Sequence, residues 1–259
     1  MKILITGATS GIGFDTGVSL IKKGHFVYFT VHTDDQIKTV VEKLKELDIL
    51  DNASVFKLDI TEEEDRNLIR DLDIDCLVCN GATGYSGSVL DIDISRLEDN
   101  FKVNVFSNIE LIQTYCAHLF VENQKGRVVV ISSLAGKIPI PFLGSYASTK
   151  SSLSILTSCL NKELKLINKN IKIKLVEPGI YNTGFNDYMF DNKEESIYFR
   201  NIEEDITNIS KKIFRIIGKN DTGSIVKKIV KTITTKSNRL IYRSPYFQST
   251  MIKLYNLFH

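Results

Sequence analysis

The sequence predicts an α/β protein with one doubly wound, mostly parallel sheet of seven strands and helices on both faces. Short apolar runs alternate with segments of helical periodicity along most of the 259 residues. A glycine-rich turn at residues 6–13 joins the first apolar run to the first helical pattern. With 43% hydrophobic and 25% charged residues, the chain has an ordinary globular composition, and open sheets of this size often form one unit. We therefore expect a single domain over 1–259.

Four strands are predicted in the first part of the chain, at 1–5, 26–31, 54–58 and 75–79. A helix at 14–23 separates the first two strands. Capping boxes that start at Thr33 and Thr61 predict the next two helices, the second of which carries Leu68, Ile69 and Leu72. This order of elements favours right-handed crossovers between parallel strands.

The second part continues the alternation. A capping box at Ser95 predicts a long helix that reaches Val121, followed by a strand at 128–131 and a helix from Tyr146 to about residue 167. A sixth strand at 171–176 ends at Pro178-Gly179, and a helix at 224–235 and a strand at 239–242 close the sheet. Residues 184–220 break the rhythm, and we expect them to form a mobile lid on the substrate side, over the carboxyl ends of the strands.

The C-terminal tail, 244–259, has an apolar stripe on a helical period. Lys253 is the only basic residue among its last nine, whereas a helix on a membrane surface usually carries more positive charge. We expect the tail to pack against the body or a second subunit, with no membrane contact, in a homodimer or homotetramer.

Charge and composition argue against several classes of protein. The net charge is only +2 with no basic cluster, so we expect no nucleic-acid surface. The N-terminal apolar run is too short for a signal peptide, and we expect a cytoplasmic protein. Cys76 and Cys79 are three apart on a predicted strand and should face opposite sides, so they are not a metal or redox pair. The histidines are scattered, and we predict no metal site.

The glycine turn is a candidate anion site. Glycines allow positive φ and close approach of the backbone to a ligand, and a helix N-terminus offers free N–H groups. Both features suit a pyrophosphate. A tight strand-to-helix connection without a ligand is the alternative.

A second candidate cluster lies later in the chain. Tyr146 and Lys150 are four apart on a predicted helix and share one face. Ser133 lies 13 residues before Tyr146, after the fifth strand, at the sheet edge where open α/β folds bind ligands. The three side chains should therefore converge beside the glycine turn.

With these spacings the chain resembles the short-chain dehydrogenase/reductase family over nearly its whole length. Residues 6–13 are similar to the family's cofactor turn, and Asn104, Ser133, Tyr146 and Lys150 to its catalytic set. The resemblance implies a Rossmann-like fold and an NAD(P)-dependent oxidoreductase. Such an enzyme would interconvert a carbonyl and a secondary alcohol by hydride transfer, with Tyr146 as general acid/base.

The resemblance also implies a set of cofactor-binding positions. Asp59 would contact adenine, Lys150 the nicotinamide ribose, and Pro178-Gly179 with Thr183 the carboxamide. The full set comprises Gly7, Thr9, Ser10, Gly11, Ile12, Gly13, His32, Thr33, Asp59, Ile60, Asn80, Gly81, Tyr146, Lys150, Pro178, Gly179 and Thr183. The usual Asn-Ala-Gly is here Asn80-Gly81-Ala82, with the two small residues in swapped order.

Cofactor choice is expected to depend on the end of the second strand. An acid there would bind the ribose hydroxyls and repel a 2′-phosphate, but Val31 occupies that position. His32 and Thr33 follow and can donate to a phosphate, so NADP(H) is favoured over NAD(H). Asp34 and Asp35 are the counter-argument.

The expected chemistry follows from the same residues. A nearby ammonium and an oxidised nicotinamide would lower the pKa of Tyr146. Ser133 would hydrogen-bond the substrate oxygen, and Asn104, as the family implies, would hold a water that relays protons.

Two apolar groups predict a pocket for a medium-sized apolar ketone, aldehyde or secondary alcohol. They are Leu134, Ile138, Pro139, Pro141 and Phe142, and Tyr85, Phe185, Tyr188, Met189 and Phe190. A 3-oxoacyl thioester is the alternative within this chemistry, and a non-catalytic nucleotide-sensing protein the alternative outside it. A sugar-nucleotide epimerase or dehydratase is disfavoured because only about 75 residues follow Gly184.

Overall fold

In the computed structural model, which describes residues 1–167 and 170–258, seven parallel strands form one sheet in the order β3-β2-β1-β4-β5-β6-β7. This confirms the predicted fold class, and each neighbouring pair of strands is parallel. The strands are β1 (Lys2–Ile5), β2 (Phe26–Val31), β3 (Ala53–Lys57), β4 (Cys76–Cys79), β5 (Gly126–Ile131), β6 (Ile171–Pro178) and β7 (Ile241–Ser244).

Helices cover both faces of this sheet. They are α1 (Gly11–Ile21), α2 (Asp34–Glu46), α3 (Glu63–Asn67), α4 (Ile94–Phe101), α5 (Asn108–Val121), α6 (Gly144–Leu166), α7 (Phe185–Asp191), α8 (Glu203–Ile217), α9 (Gly223–Thr234) and α10 (Tyr246–Phe258). A π-helical segment, Lys102–Ser107, joins α4 to α5, so the predicted long helix runs without a break to Val121.

The core consists of two apolar layers, one on each face of the sheet. Alternate side chains of the buried strands enter opposite layers because the side-chain period of a strand is two. Cys76 lies in the layer that contains Ile3 and Leu20, whereas Cys79 lies in the layer that contains Leu4 and Leu111. The two cysteines therefore face opposite sides, as predicted.

Two predicted helix starts are wrong. The third helix begins at Glu63 rather than at a Thr61 cap, because the Thr61 hydroxyl donates to Asp59 Oδ1 at 2.8 Å. Leu68 and Ile69 lie beyond this short helix, in a 3-10 turn. The fourth helix begins at Ile94, since the Asp93 carboxylate accepts from Ser95 N at 2.9 Å and so takes the capping role predicted for Ser95.

The two C-terminal segments predicted as lid and tail are helical. Residues 184–220 contain α7 and α8, and their mobility stays a prediction. The tail forms α10, in which Gln248 and Ser249 are buried against the body. Residue 259, the last of the predicted tail, lies outside the described residues. Among the helices described, none is long and apolar enough to cross a bilayer.

Candidate functional site

The glycine turn between β1 and α1 is closed by the loop that follows β4. Gly7 has φ +61°, and a Cβ on it would lie 2.7 Å from Gly81 Cα. A Cβ on Gly13 would lie 2.6 Å from Asn80 Nδ2, the atom that donates to the carbonyls of Thr6 and Gly7 at 3.0 Å. Both positions therefore require glycine. The swapped order leaves Gly81, which has no side chain, facing Gly7.

The N-terminus of α1 opens into a cavity at the carboxyl ends of the strands. Gly11 has φ +55°, and Ser10, the residue before it, does not cap the helix with its side chain. The first N–H groups of a helix have no intrahelical partner, and they carry partial positive charge. The cavity has a volume of about 760 Å³, which makes this turn a cradle for an anionic ligand.

Most of the predicted site residues line this cavity. They are Gly7, Thr9, Ser10, Gly11, Ile12, Gly13, His32, Asn80, Gly81, Ser133, Tyr146, Lys150, Pro178, Gly179 and Thr183. Sequence reasoning also missed several lining residues, among them Gln36, Ser132 and Tyr181. Gln36 Oε1 accepts from the Thr9 hydroxyl at 3.2 Å and from His32 N at 2.9 Å, so it ties the glycine turn to the end of β2.

Four predicted residues lie outside the cavity wall. Thr33 precedes α2 as its N-cap, in the capping box expected for it. Asp59 accepts from Thr61, which with nearby positive charge lowers its pKa despite partial burial, and its carboxylate is 3.3 Å from His32 Nδ1. Ile60 is buried in the core. The side chain of Asn104, the fourth residue, is hydrogen-bonded to the backbone of Thr83.

The predicted catalytic residues Ser133, Tyr146 and Lys150 meet at one wall. Ser133 caps a 3-10 turn, Leu134–Lys137, by accepting from Ala135 N at 3.0 Å. Its hydroxyl is also close enough to Tyr146 to act on the pKa of that phenol. Lys150, one helical turn later on α6, donates to Ile131 O at 3.3 Å and lies 5.6 Å from the Tyr146 ring centroid.

Burial dominates the electrostatics of this group. It lowers the pKa of Lys150 to about 8 because the charged ammonium loses its hydration. It raises the pKa of Tyr146, and the nearby Ser133 hydroxyl acts in the opposite direction without offsetting burial. In the protein without cofactor, burial outweighs any lowering by the Lys150 ammonium, and the expected joint effect of the ammonium and an oxidised nicotinamide stays a prediction. The phenol is protonated at neutral pH and can donate.

Asn104 lies in the π-helical segment and ties two parts of the site together. Its Oδ1 accepts from Thr83 N at 2.9 Å, while its Nδ2 donates to Thr83 O at 2.8 Å and to Thr149 Oγ1 at 3.1 Å. Thr149 in turn donates to the carbonyl of Tyr146 at 2.7 Å. Asn104 therefore fixes the loop after β4 against α6, and its water-holding role stays a prediction.

A buried polar network that the sequence did not predict supports the same wall. Ser132 Oγ donates to Lys150 O at 2.7 Å and accepts from Ser154 Oγ at 2.9 Å. Ser154 also reaches the carboxylate of Glu177, which pairs with Lys137 and Arg243. The signal available in the sequence was Glu177 itself, a charged residue at the end of an apolar strand.

The apolar part of the cavity includes about half of the residues predicted for it. Leu134, Ile138, Phe185, Tyr188 and Met189 line the wall, together with Ile140 and Leu143. Pro139 and Pro141 do not line it, because side chains alternate along the extended chain that starts at Ile138. Tyr85, Phe142 and Phe190 also lie outside the lining.

The last wall comes from the C-terminal helix. Gln248 accepts from Ile180 N at 2.7 Å and donates to Ile217 O at 2.8 Å, and Met251 and Ile252 line the cavity. The predicted apolar stripe of the tail includes Met251, but nothing in the sequence placed Met251, Gln248 or Ile252 at this cavity. Among the residues described, no cluster of histidine, cysteine or carboxylate side chains could hold a metal ion.

Comparison with known proteins gives consistent matches. A family profile described as "short chain dehydrogenase" matches residues 1–194. A probable short-chain type dehydrogenase/reductase of Helicobacter pylori is 30% identical over 202 residues, which are 75% of this chain and 71% of that protein. Dehydrogenase/reductase SDR family member 7B of Xenopus tropicalis is 26% identical over 245 residues, 89% of this chain and 78% of that protein.

Solved structures share the fold. A short-chain dehydrogenase/reductase from Burkholderia phymatum, in complex with NAD, superposes with a TM-score of 0.84 at 17% identity, covering 99% of this chain and 92% of that one. A variant of actinorhodin polyketide ketoreductase with NADPH superposes with a TM-score of 0.77 at 21% identity, covering 94% and 95%.

Proposed function

Since the chain belongs to the short-chain dehydrogenase family and is an oxidoreductase acting on CH–OH and C=O groups, we propose that it reduces an apolar ketone or aldehyde with NADPH. Tyr146 is the proton donor in this proposal. The observation that carries it is that Ser133, Tyr146 and Lys150 line the same cavity as the glycine turn, with Tyr146 and Lys150 buried.

A nicotinamide dinucleotide fits the residues present. The turn at Gly7, Gly11 and Gly13 is a cradle that added Cβ atoms would fill, and the α1 N-terminus suits the charge of a pyrophosphate. The two structures of similar fold described above, one with NAD and one with NADPH, support a nicotinamide dinucleotide as the cofactor. When bound, the cofactor supplies the hydride.

The protein's own groups handle the substrate oxygen. Ser133 Oγ donates a hydrogen bond that holds the carbonyl oxygen, and the Tyr146 hydroxyl transfers its proton to that oxygen. A protonated tyrosine is the form that reduction needs, and burial favours this form at neutral pH. Lys150 completes the set by holding the nicotinamide ribose hydroxyls.

The preference for NADP(H) rests on the charges of the adenosine side. Among the described residues that line the cavity there is no carboxylate to repel a 2′-phosphate or take the ribose diol, although Asp59 contacts His32 Nδ1 at 3.3 Å from outside the lining. His32 lines this end with a mostly exposed imidazole, and Thr9 adds a hydroxyl. Asp34 and Asp35 lie in the first turn of α2, outside the lining.

Cofactor titration followed by an activity screen tests this proposal. The protein should bind NADPH more tightly than NADH and oxidise NADPH when apolar ketones or aldehydes are added. Tighter binding of NADH would overturn the cofactor assignment. Tight binding without turnover across a broad carbonyl panel would instead favour the nucleotide-sensing alternative.

A further inference from the structure

Side chains of α8 and α10 line one wall of the cavity and are also exposed on the outer surface of the protein. Ile213 and Ile217 on α8 and Met251 on α10 all line the cavity. Their exposed fractions are nevertheless 47%, 46% and 53%. A side chain that lines a cavity and is half exposed lies at its mouth. The mouth is therefore built from aliphatic side chains of the two C-terminal helices.

The apolar surface continues outward from this mouth. On α8, Ile209 and Ile216 share a face with Ile213 and are also exposed. On α10, Leu254 extends the exposed surface from Met251 by one turn. The two helices are joined where these faces begin, because Gln248 on α10 donates to Ile217 O.

The inner part of the same cavity offers few partners to a charged substrate. Among the described lining residues, the basic side chains are His32 and Lys150, both assigned to the cofactor. Ile140, Leu143 and Phe214 also line the cavity, and they belong to one apolar cluster with Tyr146. An uncharged hydrocarbon chain gains free energy against this apolar lining, whereas a carboxylate would lose hydration without a cationic partner.

We propose that the substrate carries a long hydrocarbon chain, which runs from the reacting carbonyl to the mouth and lies between α8 and α10. This inference rests on the proposed function and names its substrate class. The apolar cluster around Tyr146 and the aliphatic mouth line the same cavity, and this favours a hydrocarbon chain over a bilayer or a second copy of the chain as the occupant. The chain covers aliphatic side chains that are otherwise exposed to water.

The preference for a long hydrocarbon chain can be measured with a series of methyl ketones, from 2-butanone to 2-undecanone, reduced with NADPH. The value of kcat/KM should rise about two- to fourfold per added methylene, as expected for burying one CH₂ group. Met251→Gln and Ile213→Thr place polar groups at the mouth without opening the core. Each should cause a loss of kcat/KM that grows with chain length.

Leu257→Gln is the matched control for Met251→Gln. Leu257 is on the same helix and is exposed, but it does not line the cavity. The control should keep the chain-length dependence of the parent protein.

The outcomes separate this inference from the proposed function. Reduction of 2-butanone with no gain for longer ketones would overturn the inference and leave the function standing. If no ketone is reduced, the function fails, and thermal unfolding with NADPH decides the inference. It is supported if 2-undecanone raises the Tm of the parent but not of Met251→Gln, and overturned if neither Tm changes. Co-sedimentation with phosphatidylglycerol vesicles and a flat ketone series would assign the surface to a bilayer instead.

Discussion

Glu177 and Lys137 form an ion pair of 3.0 Å in which the carboxylate is fully buried, directly behind the wall that presents Ser133. Lys137 ends the 3-10 turn that Ser133 caps, and Arg243 on β7 approaches the same carboxylate from the other side. Glu177 thus joins β6, β7, α6 and the turn after β5 through one side chain.

Glu177→Gln should destabilise the protein by about 2 to 3 kcal/mol. The substitution keeps the shape of the side chain but leaves Lys137 and Arg243 without their buried partner. Because these side chains are 24% and 28% exposed, water reduces the penalty below that of a fully buried broken pair. Urea unfolding measures the change. Glu163→Gln, an exposed carboxylate on α6, is the control. An unchanged urea midpoint for Glu177→Gln would show that the network does not stabilise the fold.

Tyr146→Phe should reduce turnover at least about a hundredfold and leave NADPH affinity within a few-fold of the parent. The ring keeps its packing against Phe185, whose centroid is 5.6 Å away, and only the proton donor is lost. Steady-state kinetics and a binding titration check both parts. Tyr198→Phe, at an exposed position outside the cavity, is the control. Full activity in Tyr146→Phe would refute its role as the acid.

Lys150 should make stability depend on pH. Its pKa falls from 10.5 in the unfolded chain to about 8 in the folded protein. Between these values the unfolded state binds more protons, so the free energy of unfolding rises with pH. From pH 8 to pH 10 the gain should be about 2 kcal/mol relative to Lys150→Met.

The measurement is denaturant unfolding of both proteins at pH 8, 9 and 10. Higher pH is avoided because the raised pKa of Tyr146 acts in the opposite direction above about pH 10, where the unfolded tyrosine loses its proton. Parallel curves for the parent and Lys150→Met would mean that the ammonium is not desolvated.

Removal of residues 246–259 should lower the Tm, because it deletes the two hydrogen bonds that Gln248 makes to the backbone at Ile180 and Ile217. Gln248→Ala alone should cost about 1 to 3 kcal/mol, since it leaves partly buried backbone groups unpaired. Gln124→Ala, at an exposed position, is the control. An unchanged Tm and an unchanged molecular mass after truncation, with loss of vesicle binding, would instead indicate a membrane role.

The strands and the glycine turn could be predicted because their signals are local. Strand periodicity, the Thr33 capping box and the Tyr146–Lys150 spacing each lie within a few residues. The supporting contacts could not be predicted in this way. Lys137 and Glu177 are 40 residues apart, and Gln248 and Ile180 are 68 apart, so only the folded sheet brings them together.

Competition between neighbouring side chains explains the two misassigned helix starts, and burial explains the raised pKa of Tyr146. Asp93 precedes Ser95 and takes the cap by accepting from its N–H, while Thr61 is drawn to Asp59. The pKa of Tyr146 depends on burial, which the Tyr-Lys spacing alone does not reveal.

The mouth formed by α8 and α10 lies entirely after residue 194, where the family profile ends, whereas Thr183 is the last of the predicted polar site residues. In the proposed function, proton transfer and hydrocarbon selectivity are therefore encoded in separate lengths of the chain. On that proposal, insertions, exchanges or recombination downstream of residue 194 would change the substrate while leaving the reaction chemistry intact.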